Sequence, residues 1–362
     1  MDFYFPIADI TFNIWLLLGL GVVVGFLSGL LGVGTGILIT PILLILGFPS
    51  RIAVASQLNA SIGANFSGFL SYGQRKDVDF ALGIYLIIGG VLGALSEFYI
   101  LRWLNYTIQT YSAIRIISAI VLIFLGVGMF YNTFRLLLSD NKTYYQVTMK
   151  KWMIYIPFHR VFVRSRTEMS VLVPIMVGFL TGILTISLGG GVNVLMIPFL
   201  TYLIGRVSPC VSGTSFFVAF ITCFVITLLH GIGTAPVDIF LVITLTVSTS
   251  IGSKLGVYIN QFLPKALIGL LGAAIISLLG VKILVEIIKQ QTKRSKLILD
   301  NGVVHYLEDL ITSMPENISI LGKGALYFAH SDVALYSFSC IFISIFIAYI
   351  IDKSINFFIY RK

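Results

Sequence analysis

The chain has 362 residues, a net charge of +9, 57% hydrophobic residues and only 11% charged ones, where a soluble globular chain has about 25% charged. A water-soluble domain cannot bury that much apolar surface. Nor are the basic residues gathered into a polar, aromatic-interleaved region, which sets nucleic-acid binding aside and leaves an all-α polytopic membrane protein with the lipid bilayer as its surroundings.

The N-terminal stretch Met1 to Ile10 carries no Lys or Arg, so the first apolar segment is expected to be a retained helix rather than a cleaved leader. Apolar periodicity and punctuation predict helical segments at about 12–31, 34–48, 52–73, 80–102 and 110–136. The second of these follows a glycine break, Gly32-Val33-Gly34-Thr35-Gly36, and contains Pro41. At 1.5 Å per residue it measures about 22 Å, short of a hydrocarbon core about 30 Å thick, so a re-entrant segment is expected. Between Arg135 and Arg166 seven basic residues face one acid, Asp140. Positive-inside bias makes that loop cytoplasmic. Five further segments are predicted at about 171–188, 190–204, 209–231, 237–259 and 265–288.

The two sets register with each other. Gly25-Phe26-Leu27-Ser28-Gly29 recurs as Gly178-Phe179-Leu180-Thr181-Gly182 at an offset of 153, Pro41 falls on Pro198 at 157, and Val78-Asp79 falls on Val237-Asp238 at 159. Glycine and proline in register point to two tandem homologous repeats of about four to five helical segments each. The expected organisation is a first transmembrane repeat at 12–136, a basic cytoplasmic linker at 137–170, a second repeat at 171–288, a polar connector at 289–335 and an accessory transmembrane helix at 336–357. Loop charges favour a parallel relation between the halves. Many transporters use inverted ones, and the relation stays open at this stage.

The glycine breaks are the best place for a binding site. An unwound backbone inside a bilayer survives only where protein buries it or water reaches it. A half-helix starting at Gly34, Thr35 and Gly36, or after Gly189, Gly190 and Gly191 at Asn193, presents free N–H groups and the positive end of a helix dipole to an anion. The bland reading is close helix packing through small residues, which also suits Gly89, Gly90 and Gly93. A second polar group comprises Ser56, Gln57 and Asn59 with Ser61 and Asn65, matched by Ser212, Gly213 and Thr214 in the other half. Such neutral donors suit an oxyanion that must be bound and released; interhelical hydrogen bonding is the competing reading. Among intramembrane charges, Glu97 is the candidate for proton coupling, and Lys254 reads as an interfacial anchor. No spaced catalytic motif and no metal-ligand spacing appears, so neither an enzyme nor a metal or organic cofactor is expected.

The Leu-Gly-x-Gly break, the proline that follows it and the downstream Gly213-Thr214-Ser215 resemble the TauE/SafE family of sulfite and organosulfonate exporters over roughly residues 12–288. The resemblance is clearest from Leu188 to Pro198. It implies a multi-pass permease of a bacterial inner membrane for a small sulfur-containing anion. The first half departs from the pattern, with Ser56-Gln57 where Gly-Thr is expected, which bears on the substrate. An anion channel and a non-transporting membrane assembly protein are the alternatives. Transport direction, coupling ion and oligomeric state are not encoded in any motif found.

Overall fold

The computed structural model describes residues 2–103, 108–138, 157–165, 167–185, 192–204, 209–232, 237–264, 267–285, 340–353 and 355. A hairpin, β1 (Asp2–Phe5) with β2 (Ile10–Asn13), leads into α1 (Ile14–Leu31), α2 (Gly36–Ile45), α3 (Ser50–Gln74), α4 (Phe80–Trp103) and α5 (Ile108–Leu138). A second hairpin, β3 (His159–Phe162) with β4 (Thr167–Ser170), leads into α6 (Leu172–Thr185), α7 (Val192–Ile204), α8 (Pro209–Ile232) and α9 (Ile239–Asn260). Helices α10 (267–285) and α11 (340–353) complete the described chain. The hairpin β3–β4 falls inside the stretch expected to be a basic linker.

Among the described residues, five helices are long and apolar enough to cross a membrane: α1, α4, α8, α9 and α10. Helix α3 has the length, 25 residues, but Gln57, Asn59, Ser61, Asn65 and Ser67 dilute its apolar character, and all five are buried. A helix that is polar on its inner side can sit in lipid only when protein surrounds that side. Apolar side chains such as Trp15, Ile45 and Phe124 lie on the outside, 69–78% exposed, as a bilayer requires.

Small residues set the tightest contacts. On α1, Gly21, Gly25 and Gly29 face Ser248, Thr249 and Ser253 of α9; on α4, Gly89 and Gly93 face α6, whose Gly178 and Gly182 face back. A Cβ at most of these positions would overlap the neighbouring backbone, so glycine lets the helices approach to where dispersion and Cα–H···O contacts accumulate. Contacts advance together along α1 and α9 and along α4 and α6, so each pair runs parallel. Helices α3 and α8 run antiparallel: Asn65 meets Cys223, and Tyr72, further along α3, stacks on Phe216, earlier on α8.

Those directions fix the two ends of the bundle. Helix α1 starts at the β1–β2 end, and α2 returns to it, because Phe48 just beyond α2 packs edge-on against Phe5 and Phe12 of the first hairpin. The chain therefore reverses direction at the α1–α2 break. The second hairpin lies at the far end, beside the α3–α4 turn. The two hairpins therefore lie at opposite ends of the bundle.

One aspartate fastens each hairpin. Asp238 caps α9 through Oδ1, accepting from Phe240 N (3.1 Å) and Leu241 N (3.2 Å), while Oδ2 accepts from Ile7 N (3.0 Å) and Ala8 N (3.2 Å) in the first hairpin turn. Asp79 does the same for α4 and the second hairpin, accepting from Leu82 N (3.1 Å) through Oδ1 and from Ser165 N (3.0 Å) and Oγ (2.9 Å) through Oδ2. An N-cap carboxylate is worth about 1 kcal/mol to its helix, and here it also satisfies loop donors that would otherwise be buried unpaired.

Helix α11 packs between α3 and α9. Lys254 is not an interfacial anchor: it is 3% exposed and forms an ion pair with Asp352 of α11 at 2.6 Å, while Gln74 Nε2 donates to the other carboxylate oxygen at 3.1 Å. Removing one partner of such a buried pair costs about 3–5 kcal/mol.

Candidate functional site

The α1–α2 break is built by two glycines that no other residue replaces without strain. Gly32 and Gly34 have φ of +76° and +84°, the left-handed region that L side chains rarely adopt. Gly32 ends α1, its N–H returning to Ser28 O at 2.7 Å. Helix α2 then begins at Thr35 and Gly36 with no side-chain cap, so its first N–H groups and dipole end point at whatever lies in front of them.

What lies there is neutral and polar. Thr35, 1% exposed, places Oγ1 3.1 Å from Ser61 Oγ on α3. Gln57 Nε2 donates to the same Ser61 hydroxyl, and Thr40 Oγ1 lies 3.5 Å from Gln57 Oε1. One turn along α3, Asn65 Oδ1 accepts from Asn193 Nδ2 at 2.9 Å. Asn193 opens α7, in the other half of the chain. A Cβ added at Gly34 would stand 3.1 Å from the Asn193 side chain, and one at Gly32 would stand 2.9 Å from Ser212 Oγ and 2.8 Å from Ile197 Cδ1. The start of α7 therefore meets the break that precedes α2, deep in the bundle. Asn193 Oδ1 is buried without a hydrogen-bond partner, which marks spare polar capacity at this point.

The structure brings together Gly34, Thr35, Gly36, Gln57 and Asn193. Ser61, Asn65 and Thr40 join them; the four-residue spacing of Ser61 and Asn65 was the signal, while Thr40 inside an apolar run gave none. Ser212 touches the break through Gly32. Other candidates serve elsewhere. Ser56 Oγ accepts from Asp238 N at 3.0 Å and Thr214 Oγ1 from Asp79 N at 3.0 Å, so both hold helix starts at opposite ends. Gly213 gives close approach to the Asp77 backbone. Asn59 turns its amide back to Ala55 O at 3.0 Å. Glu97 is buried on α4, 1% exposed, and engaged by neighbouring groups. Gly189, Gly190 and Gly191 lie outside the described residues. No cluster of three metal-ligating side chains occurs among the described residues.

The two helices that meet at the break thus end in buried neutral donors, inside a bundle that has five membrane-length helices among the described residues, and known proteins resemble this chain. The description "Sulfite exporter TauE/SafE" belongs to a family model that matches residues 17–283, the stretch that contains the α1–α2 break and α2 to α9. A curated relative, "Probable membrane transporter protein YjnA" of Bacillus subtilis (strain 168), is 25% identical over 277 residues, covering 73% of this chain and 97% of the relative. No solved structure matches. The chain belongs to the sulfite exporter TauE/SafE family and is a multi-pass membrane transporter.

Proposed function

We propose that this protein carries a small sulfur-containing oxyanion, sulfite or an organosulfonate, across a bacterial inner membrane by alternating access. The observation that carries the reading is the uncapped N-terminus of α2, which faces neutral donors from α3 and meets Asn193 at the start of α7. A helix N-terminus supplies partial positive charge, and hydroxyls and amides supply hydrogen bonds, so an anion is held without a full countercharge. That combination favours release as well as capture, which a carrier needs. In this reading Thr35, Gln57 and Asn193 contact the anion, and the backbone of Gly34 and Gly36 supplies N–H groups. Ser212 lines the same space, while Ser56, Asn59, Gly213 and Thr214 hold its walls.

Alternating access draws support from how the elements exchange. The α1–α9 contact is mirrored by α6–α4, α2–α3 by α7–α8, and hairpin β1–β2 on Asp238 by hairpin β3–β4 on Asp79. We read this as a duplicated unit, 12–136 and 171–288, in inverted relation, because the mirrored hairpins sit at opposite ends. Two such halves give inward-open and outward-open states of similar energy by trading conformations. Glu97 is the carboxylate assigned to coupling if flux follows a proton gradient.

The test is counterflow of labelled sulfite, with taurine as competitor, in liposomes carrying the purified protein or Asn193→Asp. Saturable, competed counterflow is expected in the wild type. A carboxylate placed at the α7 start repels the anion, and uptake should drop at least tenfold, roughly the 1.4 kcal/mol of one lost charge-assisted contact. Flux linear in sulfite indicates a channel, and none above protein-free liposomes rejects the substrate class.

A further inference from the structure

At the second-hairpin end a cleft of about 360 Å³ opens between β3–β4 and the α3–α4 turn. Three cations line it: Lys76 from the turn, and Arg160 and Arg164 from the hairpin. Asp79 is the carboxylate in the lining, and its two oxygens are already occupied by Leu82 N, Ser165 N and Ser165 Oγ. The cleft is built rather than incidental. Asp79 clamps the hairpin, Phe162 is fully buried beneath it against Tyr85 at 6.2 Å, and Arg160 is held by donating to Tyr85 Oη at 2.6 Å with its guanidinium 5.8 Å from the ring centre.

The rim has the opposite character. Val163, Val161 and Phe80 line the cleft and are 81%, 57% and 52% exposed. Bare aliphatic side chains on a hairpin tip face water at a cost and face acyl chains at none. A free inorganic anion would use the cations and gain nothing from that rim; an anionic phospholipid uses both. The basic end of the bundle is the cytoplasmic one by the positive-inside rule, where anionic headgroups are concentrated. We propose that this cleft is a phospholipid site, taking the phosphate headgroup of an anionic lipid on Lys76, Arg160 and Arg164 and its proximal chain on Val161, Val163 and Phe80. The site lies at the hairpin end, away from the α1–α2 break, and stands whether or not the transported anion is sulfite.

Native mass spectrometry of the full-length protein, titrated with phosphatidylglycerol, phosphatidylcholine or inorganic phosphate, tests it. Phosphatidylglycerol should be retained selectively. Replacing both arginines, Arg160→Gln with Arg164→Gln, should weaken it roughly 25-fold, about fivefold per cation, and the double lysine variant should recover most of the binding, which separates charge from misfolding. Val163→Ser should weaken phosphatidylglycerol while leaving inorganic phosphate binding unchanged. Equal retention of phosphatidylcholine, or an unchanged affinity in the double glutamine variant, overturns the proposal. So does inorganic phosphate that displaces phosphatidylglycerol with no effect of Val163→Ser, since the cleft then binds a free anion.

Discussion

Helix α1 and the turn after it use glycine for two opposite purposes within a few residues. Gly25 and Gly29 are ordinary helical residues whose missing side chains make room for the backbone of Thr249 and Ser253. A Cβ at Gly32 or Gly34 would meet side chains rather than backbone, Ile197 and Ser212 for the first and Asn193 for the second, but their positive φ strains any other residue. The first pair is needed by another helix, and the second by its own chain. A glycine pattern in a membrane sequence thus carries two messages, close packing and broken helix, that only backbone dihedrals tell apart.

Substitutions separate them, and the largest effect belongs to packing. Gly29→Leu drives a branched side chain into the Ser253 backbone and pushes α1 off α9. Loss of monodisperse protein in size-exclusion chromatography is expected, a destabilisation of about 4 kcal/mol or more; a normal profile with normal flux would erase the distinction. Gly34→Ala comes next. Its left-handed backbone costs about 1–2 kcal/mol and its methyl crowds Asn193, so flux should fall about tenfold in protein that still elutes as wild type. Thr35→Ala removes one neutral hydrogen bond, about 1 kcal/mol, raising KM for the anion roughly fivefold, and Thr35→Ser should restore it. The smallest effect belongs to Gly19→Ala, where nothing lies within 4 Å. Flux should be unchanged and thermal stability slightly higher, by about 0.5–1 kcal/mol.

Long apolar helices were legible because their signal is local. The expected segments 12–31, 80–102 and 209–231 differ by two residues or fewer at each end from Ile14–Leu31, Phe80–Trp103 and Pro209–Ile232. The hairpins were not legible: each strand has four residues, and Phe3-Tyr4-Phe5 beside an apolar run reads as more of the same. Their clasps, Asp79 and Asp238, were visible as helix starts, but the second oxygen of each binds a turn far away in sequence. The site was half legible. Gly34, Thr35 and Asn193 stood out because glycine and polar residues interrupt apolar runs, whereas the Asn65–Asn193 bond spans 128 positions and joins helices that no periodicity pairs. Lys254 was misjudged for the same reason, since Asp352 lies 98 residues on.

Composition by itself determined that this chain lives in lipid, because 57% hydrophobic residues and 11% charged ones leave no way to dissolve it, and glycine placement marked Gly32 to Gly36 as a candidate break. Tertiary structure alone decided which ends share a side of the bundle and which polar groups face one another. Those outcomes depend on helix directions and on contacts between residues far apart, and hydrophobicity along a chain carries neither.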